Sequence, residues 1–387
     1  MFSWHGLFTV YDENYNYIRF TERNIDEYIF KKIDSEPGVR DFTPLQRMKY
    51  FWMSYRKAIE CSNDTQSQYK SYVAKRKGKK QRVINVPKGE LKSHQRFILK
   101  SYLDKLPVNE TAYAYRKGCR VKDPAIVHYV VDKEYLLKLD IKDFFGSIKA
   151  SDVYHVFEDA FPEAEKELIV FFTNICCLNG KLPQGAPSSP ALSNIIMRSF
   201  DDEVSEFARK KGIIYTRYSD DMIFSFNEKE LAETIKVYIG KTLRNYGLKL
   251  NLRKTRLSRR KGQRCSVLGI VINEKLRLPV EYRRKIRQEI YYIRKFGIKY
   301  HMAKSRVNGT DYGLCLYEEP LIPDEDVLEY LKKIKGRIEY VLGVDPDDDE
   351  MKEYRLFLDE LIKKTRSYLL RKERGEFMSI SDQDIPF

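Results

Sequence analysis

The sequence predicts an α+β protein, in which strands and helices alternate up to about residue 280 and helices follow. Short segments rich in aromatic and β-branched residues end at turn residues, which is typical of strands. Longer segments carry apolar residues at helical spacing. Hydrophobic residues make up 42% of the 387 residues, which excludes a disordered chain and allows two or three subdomains around a sizeable core.

The elements before residue 145 are a helix, a basic hairpin, a second helix and an apolar strand. TPLQRMKYFWMSYRKAIE predicts the first helix, with Thr43 and Pro44 suited to its start. SYVAKRKGKKQRVINVP predicts two short strands joined at Lys77 and Gly78. A helix is predicted in LKSHQRFILKSYLDKL, and EYLLKLDIKDFF predicts an apolar strand that ends at Asp140.

The centre of the chain combines a long predicted helix with an acidic hairpin. SSPALSNIIMRSFDDEVSEFARKKG predicts one helix, capped by Ser188 or Ser189 and ended by Gly212. Its apolar residues recur at helical spacing and are expected in the core: Leu192, Ile195, Ile196, Phe200, Val204 and Phe207. GIIYTRYSDDMIFSF predicts two strands with Asp220 and Asp221 at the turn, and DEDVLEYLKKIKGRIEYVLGV predicts a helix near the C-terminus.

Positive charge is concentrated in two stretches of a chain with a net charge of +15. Residues 241–300 contain 19 Lys and Arg against three Glu, and residues 70–100 contain 11 against one. A single basic run is also compatible with a solvated face. Two runs predict two walls of a cleft that binds a phosphate backbone, with Arg259, Arg260 and Lys261 as candidate nucleic-acid contacts.

The remaining composition favours a reduced, cytoplasmic protein without a membrane partner. The six cysteines lack metal-ligand spacing. No run of about 18 apolar residues occurs, and the N-terminal residues lack the pattern of a signal peptide.

Three carboxylates lie where predicted strands end. Asp140 follows one apolar strand, and Asp220 and Asp221 stand between two others. An ordinary hairpin could also carry aspartates in its turn. Carboxylates gathered at adjoining strand ends repel one another unless cations lie between them, and two divalent ions held in this way catalyse phosphoryl transfer. Hard oxygen ligands favour two Mg²⁺ ions.

LKLDIKDFFGSI, LPQGAPSSPALSN and YSDD, in this order, resemble the palm motifs of reverse transcriptases, and QGAPSSP is most similar to bacterial retron and retron-like defence enzymes. AKRKGKKQRVINVP resembles the fingers hairpin, CSVLGIVIN the primer-grip region and LKKIKGRIEYV the thumb. The resemblance implies a right-hand polymerase fold with fingers, palm and helical thumb. It divides the chain into an N-terminal extension (1–65), a reverse transcriptase domain of fingers and palm (66–275), and a helical thumb with a C-terminal tail (276–387).

The same resemblance assigns roles in metal and triphosphate binding. Asp140, Asp220 and Asp221 match the catalytic, metal-binding carboxylates, and the carbonyl of Ile141 matches a further metal ligand. Lys75 and Arg82 match fingers residues that hold the incoming triphosphate, for which the planar guanidinium of arginine is well suited. Lys75 could equally be one solvated lysine among many.

Three further matches concern the nucleotide. Gln184 matches a residue beside the nucleotide sugar. Phe145 matches an aromatic steric gate against a ribose 2′-hydroxyl, although Phe145 or its neighbour Phe144 could instead pack in the core. Lys254 matches a lysine that protonates the leaving pyrophosphate, and a simple phosphate contact is the alternative.

Two segments depart from the retron pattern. Retron enzymes carry Asn-Ala-x-x-His before the first catalytic strand, whereas this chain has DPAIVH, with Pro124 at the asparagine position. They carry Val-Thr-Gly in the primer grip, where this chain has Leu268 at the threonine position. The lost amide and hydroxyl put the retron manner of RNA recognition and priming in doubt. A defence-associated relative outside the true retrons is therefore an open alternative.

The resemblance implies an RNA-directed DNA polymerase whose partners are an RNA template, a DNA product and dNTPs. We expect the template to be a dedicated non-coding RNA and the role to be antiviral defence. A template-independent or RNA-making polymerase on the same fold stays open, as does a non-catalytic RNA-binding scaffold. A non-catalytic scaffold would be expected to have lost its metal-binding carboxylates, whereas all three aspartates are present. A protein partner or a homo-oligomer also stays open.

Overall fold

A computed structural model of the chain describes residues 10–11, 17–18, 57–58, 60–74, 82–162, 164, 166–305 and 322–374. The chain divides into two compact units: unit 1 comprises residues 1–124 and 133–259, and unit 2 comprises residues 125–132 and 260–387. The predicted domain boundaries at residues 65 and 275 stay predictions. Most of the helix predicted over 43–60 lies outside the described residues, as does the turn at 77–78.

Unit 1 contains two strand pairs and a four-stranded antiparallel sheet. The pairs are β1 (Val10–Tyr11) with β2 (Tyr17–Ile18), and β3 (Tyr69–Ala74) with β4 (Arg82–Pro87). The sheet has the order β6-β7-β5-β8 and consists of β5 (Tyr135–Asp140), β6 (Ile214–Tyr218), β7 (Asp221–Phe226) and β8 (Arg256–Arg259). The strands of both predicted hairpins and the apolar strand ending at Asp140 are confirmed.

The register of the central strands determines what meets at the end of the sheet. Residues of β5 and β7 pair antiparallel from Tyr135 opposite Phe226 to Asp140 opposite Asp221. Leu137 and Leu139 on β5 and Phe224 on β7 are buried, so packing fixes this register. Two acidic residues are therefore direct cross-strand neighbours.

Besides the helical residues 57–58 and 60–63, helices and two 3₁₀ turns accompany the strands of unit 1 in the described part of the chain. The 3₁₀ turns are Leu103–Lys105 and Leu252–Lys254. The helices are α1 (Gly89–Ser101), α2 (Asp123–Val130, which continues into unit 2), α3 (Phe144–Ser147), α4 (Ala150–Ala160), α5 (Lys166–Cys176), α6 (Ser189–Ile196), α7 (Arg198–Lys210) and α8 (Leu231–Asn245). With the sheets, they confirm the α+β class.

The prediction of one helix over residues 188–211 is wrong, because two helices meet at Met197. The ψ angle of Met197 is 1°, far from the helical value, and its side chain is fully buried. Asn194 on α6 and Asp201 on α7 both bond to Arg217. The predicted core positions are buried or half-buried on both helices.

Asp201 and Arg217 form an ion pair in which both side chains are 0% exposed. The distance from Arg217 Nη2 to Asp201 Oδ2 is 2.6 Å, and Arg217 Nε donates to Asp201 Oδ1 over 2.8 Å. Tyr215 Oη donates to the same Oδ1 over 2.8 Å. Burial opposes the charge of Arg217, but the charge of Asp201 and its hydrogen bonds raise the pKa of Arg217 overall. Such a pair stabilises a fold only when its polar atoms are well bonded, as these are.

Unit 2 is mainly helical, as predicted for the C-terminal part. A small hairpin of β9 (Ser266–Val267) and β10 (Ile270–Val271) turns at Leu268, whose φ of 48° is unusual for a bulky residue. Its remaining helices are α9 (Val280–Phe296), α10 (Ile298–Ser305), α11 (Asp324–Val344) and α12 (Asp349–Glu373). The bounds of α11 confirm the helix predicted there. No helix in the described ranges is long and apolar enough to cross a membrane.

We expect Asp201→Ala to lower the free energy of unfolding by about 3–5 kcal/mol, because it leaves the buried guanidinium of Arg217 without its counter-charge. Glu206→Ala on the same helix is the matched control. It removes the exposed pair with Arg209 and should cost about 0–1 kcal/mol. Urea unfolding followed by circular dichroism measures both. Equal midpoints for the two variants would contradict the role given to the buried pair.

Candidate active site

The three predicted carboxylates come together at one end of the sheet in unit 1. Asp140 ends β5 opposite Asp221, the first residue of β7, and Asp220 lies in the turn between β6 and β7. The backbone N–H of Ile141 donates to the carbonyl of Asp220 over 3.0 Å, which joins this turn to β5. The structure thus brings together residues that are eighty positions apart in the sequence.

The turn itself depends on Arg217. Nη1 of Arg217 donates to the carbonyl of Ser219 over 3.1 Å. Ser219 has a φ of 60°, a left-handed conformation that costs energy for a residue with a side chain. The buried guanidinium therefore holds in place the strained residue that precedes Asp220 and Asp221.

The carboxylates disfavour one another's charge. Desolvation raises the pKa of Asp220, and the charge of Asp140 adds to this shift. Desolvation likewise raises the pKa of Asp221 to about 6, with further contributions from Asp220 and Asp140. The repulsion predicted from the sequence is thus present in the structure, and a cation would relieve it.

Asp140 is bonded by two side chains from the segment before β8. Lys254 Nζ lies 2.5 Å from Asp140 Oδ1, and Asn251 Nδ2 donates to Asp140 Oδ2 over 3.0 Å. The N–H of Asn251 also donates to the carbonyl of Asp140 over 2.8 Å. Lys254, predicted from the sequence, therefore belongs to this site. Sequence reasoning missed Asn251, which lies in the segment GLKLNLRKT and shows no signal of its own.

The donor atoms at this site are those that a hard divalent cation prefers. They are carboxylate oxygens, two of them on groups whose pKa is raised by desolvation and neighbouring charge. Within the described residues, no three His, Cys, Asp or Glu side chains are already arranged as a metal site. A cation here would compete with the Lys254 ammonium group for Asp140 Oδ1. The residues fit Mg²⁺ by their chemistry, with Lys254 as its competitor.

The basic hairpin of β3 and β4 is attached to the segment that carries Gln184. Arg82 begins β4, and its charge acts to lower the pKa of Asp220. The N–H of Asn85 donates to the carbonyl of Gln184 over 2.9 Å. Gly185 follows with a φ of +121°, and a Cβ atom there would lie 2.6 Å from the carbonyl oxygen of Asn85. Arg82 and Gln184 are thus linked through one strand, whereas Lys75 lies outside the described residues.

The two adjacent phenylalanines have different surroundings. Phe144 is 4% exposed and belongs to the core, whereas Phe145 is only half-buried. The ring of Phe145 lies 6.5 Å from that of Tyr115, centroid to centroid. Phe145 also packs against the core from its partly buried position. Phe144 is thus the more deeply buried of the two, and part of the Phe145 side chain stays accessible.

Tyr115 is a residue that sequence reasoning missed. It is 51% exposed and has a φ of 59°, which is strained for an aromatic residue. Its hydroxyl donates to Ser219 Oγ over 3.2 Å, so it reaches the turn that carries the aspartates. An exposed aromatic residue held in a strained conformation beside the site suggests a functional constraint.

The three predicted nucleic-acid contacts have different partners. Arg259 pairs with Glu134 at the edge of the sheet in unit 1. The side chain of Arg260 is only 11% exposed, and its guanidinium donates to the carbonyl of Tyr129 and lies over the Tyr129 ring within unit 2. Arg260 therefore has a structural role, and Lys261 is exposed. Contact of any of the three with nucleic acid stays a prediction.

Comparison with known proteins finds similarity to reverse transcriptases, both in a family model and in individual relatives. Residues 73–272 match the family model described as reverse transcriptase (RNA-dependent DNA polymerase). The chain is 33% identical over 228 residues to the retron Ec86 reverse transcriptase of Escherichia coli, covering 58% of this chain and 70% of that protein. It is 28% identical over 286 residues to the retron Ec73 reverse transcriptase of the same organism, covering 71% and 82%. It is also 30% identical to the retron Mx65 reverse transcriptase of Myxococcus xanthus, covering 63% and 59%.

Without metal, we expect Asp221→Asn to stabilise the protein above about pH 6. The pKa of Asp221 is about 6 in the folded state against an ordinary value of 3.8, so its contribution to stability is fully present below 3.8 and is lost as the pH rises through 6. Asparagine avoids that loss. The gain should therefore vanish as the pH falls below about 4, and solvent contact at Asp221 will reduce its size.

Thermal unfolding in chelator at several pH values measures this difference, with Asp159→Asn at an exposed position as the control. A gain from Asp221→Asn that is the same at pH 4 and pH 8 would contradict the electrostatic explanation.

Proposed function

This chain belongs to the reverse transcriptase family as a retron-type member, and we propose that it copies a dedicated non-coding RNA into DNA by two-metal phosphoryl transfer in antiviral defence. The family makes it an RNA-directed DNA polymerase with an RNA template and the right-hand polymerase fold. The observation that carries the mechanistic proposal is the register that sets Asp140 opposite Asp221, with Asp220 in the adjoining turn.

Reverse transcriptases generally use divalent metal ions, and we assign two Mg²⁺ ions to Asp140, Asp220 and Asp221, with the carbonyl of Ile141 as a further ligand. When bound, such ions lower the pKa of the attacking primer hydroxyl and neutralise the leaving pyrophosphate. The burial of Asp140 and the raised pKa values of Asp220 and Asp221 support the assignment, since they mark carboxylates that gain from a cation.

The residues around the carboxylates supply positioning and proton transfer. Lys254 lies against Asp140 with its side chain half exposed, so its ammonium group can reach a leaving pyrophosphate and donate a proton to it. The charge of Arg82 acts to lower the pKa of Asp220, so Arg82 lies within electrostatic reach of the site. Its planar guanidinium can hold the triphosphate. Phe145 borders the nucleotide sugar together with Gln184.

The nature of the template rests on the relatives and on charge. All three proteins compared above are retron reverse transcriptases, which favours the retron type over a relative outside the true retrons. The basic stretches at 70–100 and 241–300 can hold RNA through its phosphates. A dedicated folded RNA suits such an enzyme, because proteins recognise RNA mainly through loops, bulges and shape. The role in phage defence follows from the resemblance of the QGAPSSP motif to defence enzymes.

We expect Asp220→Ala and Asp221→Ala each to lower Mg²⁺-dependent dNTP incorporation on poly(rA)/oligo(dT) by at least about a hundredfold, since metal ions contribute several kcal/mol to such reactions. Circular dichroism and RNA binding should stay close to wild type, because these carboxylates repel one another without metal. Asp159→Ala is the exposed control. Activity near wild type in either variant would refute the two-metal assignment.

We expect Phe145→Val to raise the incorporation of ribonucleotides relative to deoxyribonucleotides, because a gate that works by a clash fails when the ring is removed. Phe144→Val is the matched control. It should leave this ratio unchanged and instead lower stability by about 1–3 kcal/mol, because Phe144 lies in the core. Single-nucleotide incorporation with each substrate measures the ratio. The reverse pattern would place the gate at Phe144.

A further inference from the structure

Unit 1 contains a cavity of about 680 Å³ that the proposed reaction does not use. Its walls come from the segment 62–66, the start of α4, one side of α5 and the turn at 179–181. The three catalytic aspartates do not line it, nor do Arg82, Phe145, Gln184 or Lys254. Its volume lies within the usual range for small-molecule sites.

Two lysines face each other across the edge of this cavity. Lys149 and Lys181 are directly opposite in an antiparallel bridge, and both are exposed and line the cavity. Like charges in such positions destabilise a pair of strands. Neither lysine forms an ion pair within the described ranges. Among the residues that the structure describes, the sole acidic residue of the lining is Asp64, which accepts a hydrogen bond from the N–H of Ser67. An anion between the two ammonium groups would remove the repulsion.

The backbone fixes this lysine pair in advance. Asn179 and Gly180 have φ values of 51° and 69° and form a two-residue turn. Leu178 and Lys181 exchange backbone hydrogen bonds of 2.8 and 3.1 Å on either side of it. The N–H of Ala150 donates to the carbonyl of Gly180 over 2.9 Å, which ties the turn to the start of α4. The carboxylate of Asp152 also accepts a hydrogen bond of 2.8 Å from the N–H of Lys149. The backbones of both lysines are therefore held in place before any anion binds.

A second pair of polar groups lies in the wall of the same cavity. Ser62 is 4% exposed, and its Oγ has no hydrogen-bond partner among the described residues. The same is true of Asn63 Oδ1. Buried polar atoms are normally bonded, so each of these two oxygens has hydrogen-bonding capacity that the described residues leave unused. Because an amide oxygen only accepts hydrogen bonds, the partner of Asn63 must carry a donor such as a hydroxyl.

We propose that this cavity binds a ribose phosphate, with its phosphate between Lys149 and Lys181 and a sugar hydroxyl donating to Asn63. The choice of ribose rests on the RNA-copying function, whereas the anion and donor requirements come from the cavity itself. A free ribonucleotide and a segment of RNA offer the same chemistry. The pocket is a second nucleotide-binding site on unit 1, separate from the catalytic carboxylates.

The test compares K149Q/K181Q with K211Q/K229Q, a control that neutralises two exposed lysines outside the cavity and outside the two basic stretches. Calorimetric titration of the full chain with ribose 5-phosphate should show about tenfold or greater weakening for the first variant and none for the control. Asn63→Leu should weaken ribose 5-phosphate but leave sulfate, an anion without a hydrogen-bond donor, unchanged. Thermal unfolding of each variant verifies that the fold is retained.

Fluorescence anisotropy with the oligoribonucleotide r(A)12 separates the two sources of ribose phosphate. Weakening with ribose 5-phosphate alone identifies a free nucleotide, and weakening with r(A)12 as well identifies an RNA strand. Equal affinities of K149Q/K181Q and the control for both probes would overturn the proposal. These binding assays need no polymerisation, so failure of the proposed catalytic function would be seen separately.

Discussion

The buried ion pair of Asp201 and Arg217 is the interaction on which the geometry of the site depends. Removing two charges from water is costly, and the cost is offset here because Asp201 accepts bonds from Arg217 and Tyr215 while Arg217 also reaches Asn194 and Ser219. The pair joins helix α7 to strand β6 and to the turn that carries the aspartates. An ion pair without net charge in the core thus positions the three carboxylates, which repel one another, at the end of the sheet.

This arrangement separates two demands that conflict within the same sheet. Strands β5 and β7 are apolar and buried, which secures their register, yet the register ends in Asp140 opposite Asp221. Local rules of stability disfavour that ending, and such violations are expected where a protein has a function to perform. The rest of unit 1 supplies the stability that the site lacks.

The departure of Leu268 from the retron pattern falls on a residue with a positive φ, but nothing in the structure explains that substitution.

The sequence predicted the strands and the meeting of the carboxylates well, because runs of apolar, aromatic and β-branched residues and acidic strand ends are local signals. It did not reveal the break at Met197, since the apolar spacing continues across it from α6 to α7. Nor did it reveal the roles of Tyr115 and Asn251, whose importance comes from backbone conformation and from contacts across the fold. Arg217 left one weak trace, a charged residue within an apolar strand that must find a partner inside the core.

Gly185 has an evolutionary consequence. Its backbone lies so close to the carbonyl of Asn85 that a single added carbon would push strand β4 away from the segment of Gln184. Every codon change that replaces glycine with another amino acid adds at least that carbon. Exposed positions can often accept a small substitution first and a larger one later. At position 185 even alanine, the smallest substitution, brings the Cβ atom against the carbonyl of Asn85. Lineages that carry this fold can therefore diverge around the glycine only if the hairpin and the loop move apart together.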